Sequence, residues 1–133
     1  MNSYINKRTL SLRSLIFLLP TFLVIPLFQV TSAQNETLSV AIVPGSASPF
    51  NGQFYVPNAV TVSPNSSVSW VNQDTSSHTI TSGDFTTGPS GQFDSGLLNT
   101  GATFTHQFVT PGVYSYYCTI FPFMSGVVNV TAP

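Results

Sequence analysis

Four side chains beyond residue 33 have the chemistry to bind a soft metal ion: His78, His106, Cys118 and Met124. Cys118 is the only cysteine of the chain, and Met124 follows it in the run YYCTIFPFMSG, residues 116–126. A thiolate, an imidazole and a thioether together suit copper better than a hard cation. Two strands of a β-sandwich can bring residues this far apart in sequence together at one end. Placed together, His78, Cys118 and Met124 would offer donors that suit copper.

The same residues also have purely structural interpretations. A lone cysteine in a secreted protein is paired with another chain, buried, or bound to a metal, and free cysteines are often simply buried. Met124 is of a type that fills gaps in a hydrophobic core. His106 alternates with Phe104 and Phe108, which favours a side chain packed on a strand face over a metal ligand. Counts and spacing alone leave these alternatives open.

Residues 1–33 are predicted to be a secretory signal. Three basic residues precede a 16-residue apolar run, residues 15–30, and the small residues Thr-Ser-Ala then end at Ala33. This is the order of a signal peptide with its cleavage site. A membrane span needs about 20 apolar residues, so we expect cleavage and secretion, with a retained membrane anchor as the alternative. The remaining 34–133 are predicted to form one domain.

The charged residues are distributed unevenly along the chain. All three Lys and Arg precede residue 34, and all four Asp and Glu follow it, so residues 34–133 carry a formal charge of −4. We expect no nucleic acid binding by this domain, because neutralising phosphates needs Lys or Arg. A partner held by charge should present a cationic surface.

The domain is predicted to be all-β. It shows no helical periodicity, and residues 82–92 are Gly-rich and are predicted to form a loop. The alternating runs, separated by Gly, Pro, Asn and Ser, are residues 38–42, 59–62, 68–72, 78–81, 102–108, 114–118 and 126–131. Seven or eight short strands with closely spaced turns predict an antiparallel β-sandwich.

Two long segments carry a family resemblance. FYVPNAVTVSPNSSVSWVNQDTSSHTITSG (54–83) and FDSGLLNTGATFTHQFVTPGVYSYYCTIFPFMSGVVNV (93–130) resemble the two halves of small blue copper proteins, the cupredoxins of plastocyanin and amicyanin type. The resemblance implies a Greek-key β-sandwich that binds one copper ion and exchanges single electrons with a redox partner protein.

The resemblance also implies a role for individual residues. His78 corresponds to a histidine ligand, Cys118 to the thiolate ligand and Met124 to the weak axial thioether. Asn72 and Thr79 are candidates for bracing the segment that carries His78.

The chain departs from the family pattern at one position. In the spacing C-x2-H-x2-M the second histidine ligand falls on residue 121, which is Phe121 here. Such a site supplies one imidazole, one thiolate and one thioether. Cu(II) needs a further donor, such as water or an outside ligand, whereas soft Cu(I) accepts low coordination. The expected function is electron transfer, with a Cu(I) carrier or a metal-free binding module as alternatives.

No catalytic motif accompanies these residues. The domain contains no G-x-S-x-G sequence, no H-x-H pair and no Lys or Arg. Its aspartates show no spacing that indicates a catalytic carboxylate pair. We therefore predict an electron carrier rather than an enzyme.

Overall fold

The computed structural model describes residues 20–26, 28 and 35–133. The chain divides into two units, Met1–Thr31 and Ser32–Pro133, and the strands below belong to the second. Most of the predicted signal segment, and the predicted cleavage point after Ala33, lie outside the described residues. Within those residues, no helix is long and apolar enough to cross a membrane.

Nine strands make up the described part of the second unit. They are β1 (Thr37–Ile42), β2 (Tyr55–Val56), β3 (Ala59–Val62), β4 (Ser66–Asn72), β5 (Thr81–Asp84), β6 (Gly88–Asp94), β7 (Thr103–Phe108), β8 (Gly112–Tyr117) and β9 (Ser125–Val130). One sheet has the order β2-β1-β4-β7, and the other has the order β3-β9-β8-β5-β6. The predicted all-β sandwich is confirmed.

The strand directions correct the prediction of a purely antiparallel sandwich. β1 pairs in parallel with β4, and β3 pairs in parallel with β9, so both sheets are mixed. The chain visits other strands between each parallel pair, and these supply the connection that a crossover helix would otherwise provide. Alternation in sequence reports which face of a strand is buried, but it carries no information about the direction of its neighbour.

The predicted loop at residues 82–92 is also corrected. Most of it forms the β5–β6 hairpin, and β5 extends the sheet by pairing with β8. Gly83 has a φ of 121°, and a β-carbon there would overlap the backbone of Gly88. Glycine, proline and aspartate are poor strand formers, so pairing with β8 rather than local preference makes this segment a strand. The predicted strand 78–81 is reduced to an isolated bridge at His78 before β5 begins at Thr81.

Alternating side chains of β4 and β8 form the centre of the core. Trp70 is fully buried, and its ring stacks against Phe104 at 5.8 Å and meets the edge of Tyr116 at 5.3 Å. Cys118 and Met124 belong to the same buried cluster. They lie between the end of β8 and the start of β9, so the core extends to the end of the sandwich where the candidate site lies.

The absence of a side chain at Gly126 lets Tyr116 lie flat across the β8–β9 pair. The two residues are direct partners in this antiparallel pairing. A β-carbon at Gly126 would overlap the ring and hydroxyl of Tyr116. Tyr116 is buried and cannot move without disturbing Trp70, so glycine is required here by space.

We predict that Gly126→Ala lowers the free energy of unfolding by about 1–3 kcal/mol, the usual cost of overpacking a core. The matched control is Gly112→Ala in β8, where the nearest atom to a new β-carbon is at an ordinary 3.5 Å. Urea unfolding of both variants measures the effect. Equal stabilities for the two variants would contradict the close-packing argument.

Candidate metal centre

His78 lies in the segment that connects β4 to β5, and its backbone is held in place. Its N–H donates to the carbonyl of Leu98 at 3.1 Å, and the N–H of Leu98 donates back to the carbonyl of His78 at 2.8 Å. The side chain is fully buried. The two backbone hydrogen bonds and the burial of the side chain therefore fix the position of the imidazole.

Asn72 shapes the turn that leads to His78. Its side-chain amide donates to the carbonyls of Ser76 at 2.8 Å and Leu98 at 2.9 Å, and its oxygen accepts the N–H of Asp74 at 2.9 Å. Asn72 is fully buried, and an unpaired amide there would cost free energy. These contacts give Asn72 the bracing position that the sequence suggested.

Asp74 faces the His78 ring from the side away from the cysteine. Its Oδ2 lies 2.8 Å from Nε2 of His78, and its Oδ1 accepts the N–H groups of Gly45 and Thr75, both at 2.9 Å. Burial on its own would raise the pKa of Asp74, but the hydrogen bonds from His78, Gly45 and Thr75 outweigh it and hold that pKa below its ordinary value. A charged carboxylate only accepts hydrogen bonds, so this contact favours the form of His78 that carries its proton on Nε2.

The sulfur of Cys118 lies on the other side of the ring. Nδ1 of His78 is 3.8 Å from Sγ of Cys118, and both side chains are fully buried. Sγ also accepts the backbone N–H groups of Thr79 at 3.3 Å and Phe121 at 3.4 Å. Two N–H dipoles aimed at the sulfur favour negative charge there, and hydrogen bonds of this kind tune the potential of a copper thiolate.

Thr79 joins the two segments that carry His78 and Cys118. Its hydroxyl oxygen accepts the N–H of Thr119 at 2.9 Å, and its carbonyl accepts the hydroxyl of Tyr55 at 3.1 Å. With the Thr79 N–H on Cys118, two of these contacts join the two segments, and the third ties Thr79 to β2. This supports the bracing role suggested for Thr79 from sequence.

Met124 closes the loop that begins at Cys118. The N–H of Cys118 donates to the carbonyl of Met124 at 3.2 Å, and the N–H of Met124 donates to the carbonyl of Phe121 at 2.9 Å. The Met124 side chain is fully buried in the core cluster with Cys118. The loop therefore holds cysteine and methionine close together within its own backbone bonds.

Phe121 occupies the middle of this loop and packs against the histidine. Its ring centroid lies 5.2 Å from that of His78 and 6.1 Å from that of Phe123. A phenyl ring has no lone pair to offer a metal. Phe121 covers the imidazole and supplies bulk where the C-x2-H-x2-M pattern would supply a donor.

The family of the chain follows from comparison with known proteins. The family model for copper binding proteins of the plastocyanin/azurin family matches residues 47–131. This stretch includes both segments of the site. The chain belongs to the plastocyanin/azurin family of copper-binding proteins. Proteins of this cupredoxin family typically bind copper and carry electrons rather than catalyse reactions.

Individual relatives agree with this assignment. Amicyanin-alpha of Methylorubrum extorquens is 34% identical over 73 residues, which are 53% of this chain and 59% of that protein, so the match spans about three-fifths of the relative's length. A purple cupredoxin from Nitrosopumilus maritimus is 34% identical, with a TM-score of 0.67 over 71% of this chain and 99% of its own.

A copper-containing nitrite reductase from Thermus scotoductus also shares the fold. It is 22% identical, and the similarity, with a TM-score of 0.57, covers 73% of this chain but only 23% of the reductase. At this identity the likeness concerns the fold alone.

The side chains of the site fit copper by distance and by chemistry. At the metal–nitrogen and metal–sulfur lengths of protein zinc sites, about 2.0 and 2.3 Å, one ion can bond two atoms that are 3.8 Å apart, as Nδ1 of His78 and Sγ of Cys118 are. No group of three or more His, Cys, Asp or Glu that could hold a metal occurs within the described residues. The Met124 thioether, on the loop that follows Cys118, is a further donor of the soft type that suits copper.

His106 lies in a different part of this cupredoxin, as the alternation in sequence predicted. Its ring is 4.8 Å from that of Phe93, 4.8 Å from that of Phe108 and 6.5 Å from that of Phe104. Burial among these rings lowers the pKa of His106 below its ordinary value. The residue is a half-buried part of the aromatic core rather than a replacement ligand.

We predict that His106 makes the fold less stable in mild acid. Because the folded pKa lies below that of the unfolded chain, about 6.5, the unfolded chain binds the proton first as the pH falls. The contribution of neutral His106 is present above pH 6.5 and is lost below it. Urea unfolding of the wild type and His106→Gln at pH 7.5 and pH 5 isolates this effect, since His78 is present in both. A larger loss of stability at pH 5 in the variant would contradict it.

Proposed function

We propose that this cupredoxin binds one copper ion through Nδ1 of His78, the thiolate of Cys118 and the thioether of Met124, and that it carries single electrons between partner proteins. The convergence of Nδ1 and Sγ at 3.8 Å, at fully buried positions, is the observation that supports the proposal most. Copper would supply the one-electron exchange. Residues 1–33 would direct the chain out of the cytoplasm and would be cleaved off during export.

Hydrogen bonds within the protein hold the side chains of the site in position for electron transfer. Asp74 and the Leu98 backbone hold the imidazole, and the N–H groups of Thr79 and Phe121 hold the sulfur. The groups that reach the site are therefore fixed by hydrogen bonds, which limits movement when the charge of the metal changes. Phe121 packs over the imidazole and excludes water from that side.

The surface next to the site supports docking of a redox partner. Ile120 and Phe123 lie on the loop from Cys118 to Met124 and are 46% and 39% exposed. The domain around them has acidic residues and no Lys or Arg. An apolar contact with a cationic rim on the partner would match these features.

Phe121 supports a second candidate, a protein that holds only Cu(I). With three protein donors, of which one is a weak thioether, the site lacks the second imidazole that stabilises Cu(II) in a His2Cys arrangement. The two candidates differ in one property. An electron carrier cycles reversibly between Cu(I) and Cu(II), whereas a Cu(I) carrier does not retain Cu(II).

The purified protein should be titrated separately with Cu(I) and Cu(II), with bound metal per chain and visible absorption as readouts. The electron-transfer proposal predicts one ion per chain in both states and an intense thiolate-to-copper band with Cu(II). Cys118→Ser should abolish the band and weaken binding of both ions. Binding of Cu(I) alone would replace the proposal by the second candidate, and unchanged binding in Cys118→Ser would exclude this site.

Phe121→His should raise Cu(II) affinity and intensify the absorption band. Mutating a residue that hydrogen-bonds to a metal ligand typically lowers metal affinity about 10–100-fold. A new donor that bonds the metal directly should therefore change the affinity by at least that order. Phe123→His is the matched control, because it adds an imidazole to the same loop on a side chain that packs against Phe54 at 5.1 Å. An equal gain in both variants would contradict the assignment of position 121.

A further inference from the structure

The contact between Asp74 and His78 has consequences for which ring nitrogen can bind a metal. Nε2 of His78 is 2.8 Å from a carboxylate, whereas Nδ1 points at the sulfur of Cys118. A neutral imidazole carries one proton, and the nitrogen that holds it cannot bind a metal. The group that fixes the proton on Nε2 therefore decides whether Nδ1 is available.

The hydrogen bonds of Asp74 fix the orientation of its carboxylate. One carboxylate oxygen accepts two backbone N–H groups, from Gly45 and Thr75, and the other faces Nε2. Asp74 is 2% exposed, and residues 35–133 contain no Lys or Arg to pair with it. Within the described residues, the His78 ring is thus the one side chain that hydrogen-bonds to this buried carboxylate.

We propose that Asp74 is a positioning residue for copper, which holds the proton of His78 on Nε2, leaves Nδ1 bare toward Cys118, and favours the Cu(II) state. The copper part of this inference rests on the proposed function. The proton on Nε2 does not, because it follows from contacts that exist without metal.

The effect on Cu(II) follows from counting charges in a buried site. The Cys118 thiolate and the Asp74 carboxylate together carry two negative charges, which Cu(II) balances and Cu(I) leaves in excess by one. A buried excess charge is costly, so the carboxylate favours Cu(II). It also makes the imidazole a stronger donor by accepting its N–H. Both effects oppose the preference for Cu(I) that Phe121 introduces.

Two substitutions at position 74 separate positioning from mere structural support. In Asp74→Asn, the side-chain oxygen should stay on the N–H groups of Gly45 and Thr75, which require an acceptor. The new NH2 group then faces Nε2 and donates to it, so the ring proton moves to Nδ1 and blocks the metal-binding nitrogen. In Asp74→Ala, the ring has no partner at Nε2, and copper can select the productive form.

The proposal therefore predicts opposite orders for stability and for copper binding. The free energy of unfolding, measured in urea, should be highest for the wild type, lower for Asp74→Asn and lowest for Asp74→Ala, because asparagine keeps the backbone contacts that alanine loses. Copper affinity should be highest for the wild type, lower for Asp74→Ala and lowest for Asp74→Asn, and the asparagine variant should lose about 10–100-fold. If affinity follows the same order as stability, Asp74 is only a structural residue and the proposal is wrong.

The ring proton can be observed directly without copper. Long-range 1H–15N NMR of the metal-free protein, at one mildly alkaline pH, should show the His78 proton on Nε2 in the wild type and on Nδ1 in Asp74→Asn. The control is Asp84→Asn, which removes the same charge from an exposed carboxylate that caps Thr86 and Thr87, and it should leave the His78 signals and copper affinity unchanged. A proton on Nδ1 in the wild type would overturn the proposal.

The remaining readout is the reduction potential of copper in the wild type and Asp74→Ala. The proposal predicts a higher potential in the variant, since removal of the carboxylate favours Cu(I). An unchanged potential would refute the effect on Cu(II). If the NMR result holds but the wild type binds no copper, the proposed function fails while the control of the ring proton by Asp74 stands.

Discussion

The sulfur of Cys118 is the point on which the candidate site depends. Three groups from two separate segments converge on it: Nδ1 of His78, the N–H of Thr79 and the N–H of Phe121. The first two come from the connection between β4 and β5, and the third from the loop between β8 and β9. Because the two segments are far apart in sequence, only the sandwich brings them together. Core packing around Trp70 and Tyr116 thus becomes a condition for the site as well as for stability.

Phe121 removes a donor from this site without disturbing the backbone of the loop. The backbone bonds of the loop from Cys118 to Met124 are intact, and the phenyl ring packs against the imidazole instead of adding a donor. A copper ion bound here would depend more heavily on the donors that remain. The carboxylate of Asp74 next to His78 would compensate in part, because it adds negative charge without occupying a coordination position.

The sequence predicts much of this arrangement and misses identifiable parts of it. The sandwich follows from strand alternation, and the confirmed family membership follows from motifs around His78 and Cys118. The parallel pairs β1–β4 and β3–β9 were missed because alternation is blind to strand direction. The β5–β6 hairpin was missed because its Gly-rich composition resembles a loop, and its pairing with β8 is a tertiary effect.

Asp74 is the proposed positioning residue, and the sequence did not assign it a role beyond its charge. It stands four residues before His78, a spacing that has no fixed geometry in an irregular segment. Its role depends on the turn that Asn72 builds and on the N–H of Gly45, which is 29 residues away. The nearby acidic residue in WVNQDTSSH was the only available signal, and it does not distinguish a buried partner of the ring from a surface charge.

Copper bound as proposed has a single imidazole ligand, that of His78. X-ray absorption spectroscopy of the copper-loaded protein counts the nitrogen and sulfur atoms bound to the metal and recognises each imidazole by its ring scattering. The proposed site should give one imidazole and one short copper–sulfur bond, and no imidazole signal in His78→Ala. Two imidazoles in the wild type would show that His106 or an outside histidine completes the site, and would rule out a single-imidazole centre.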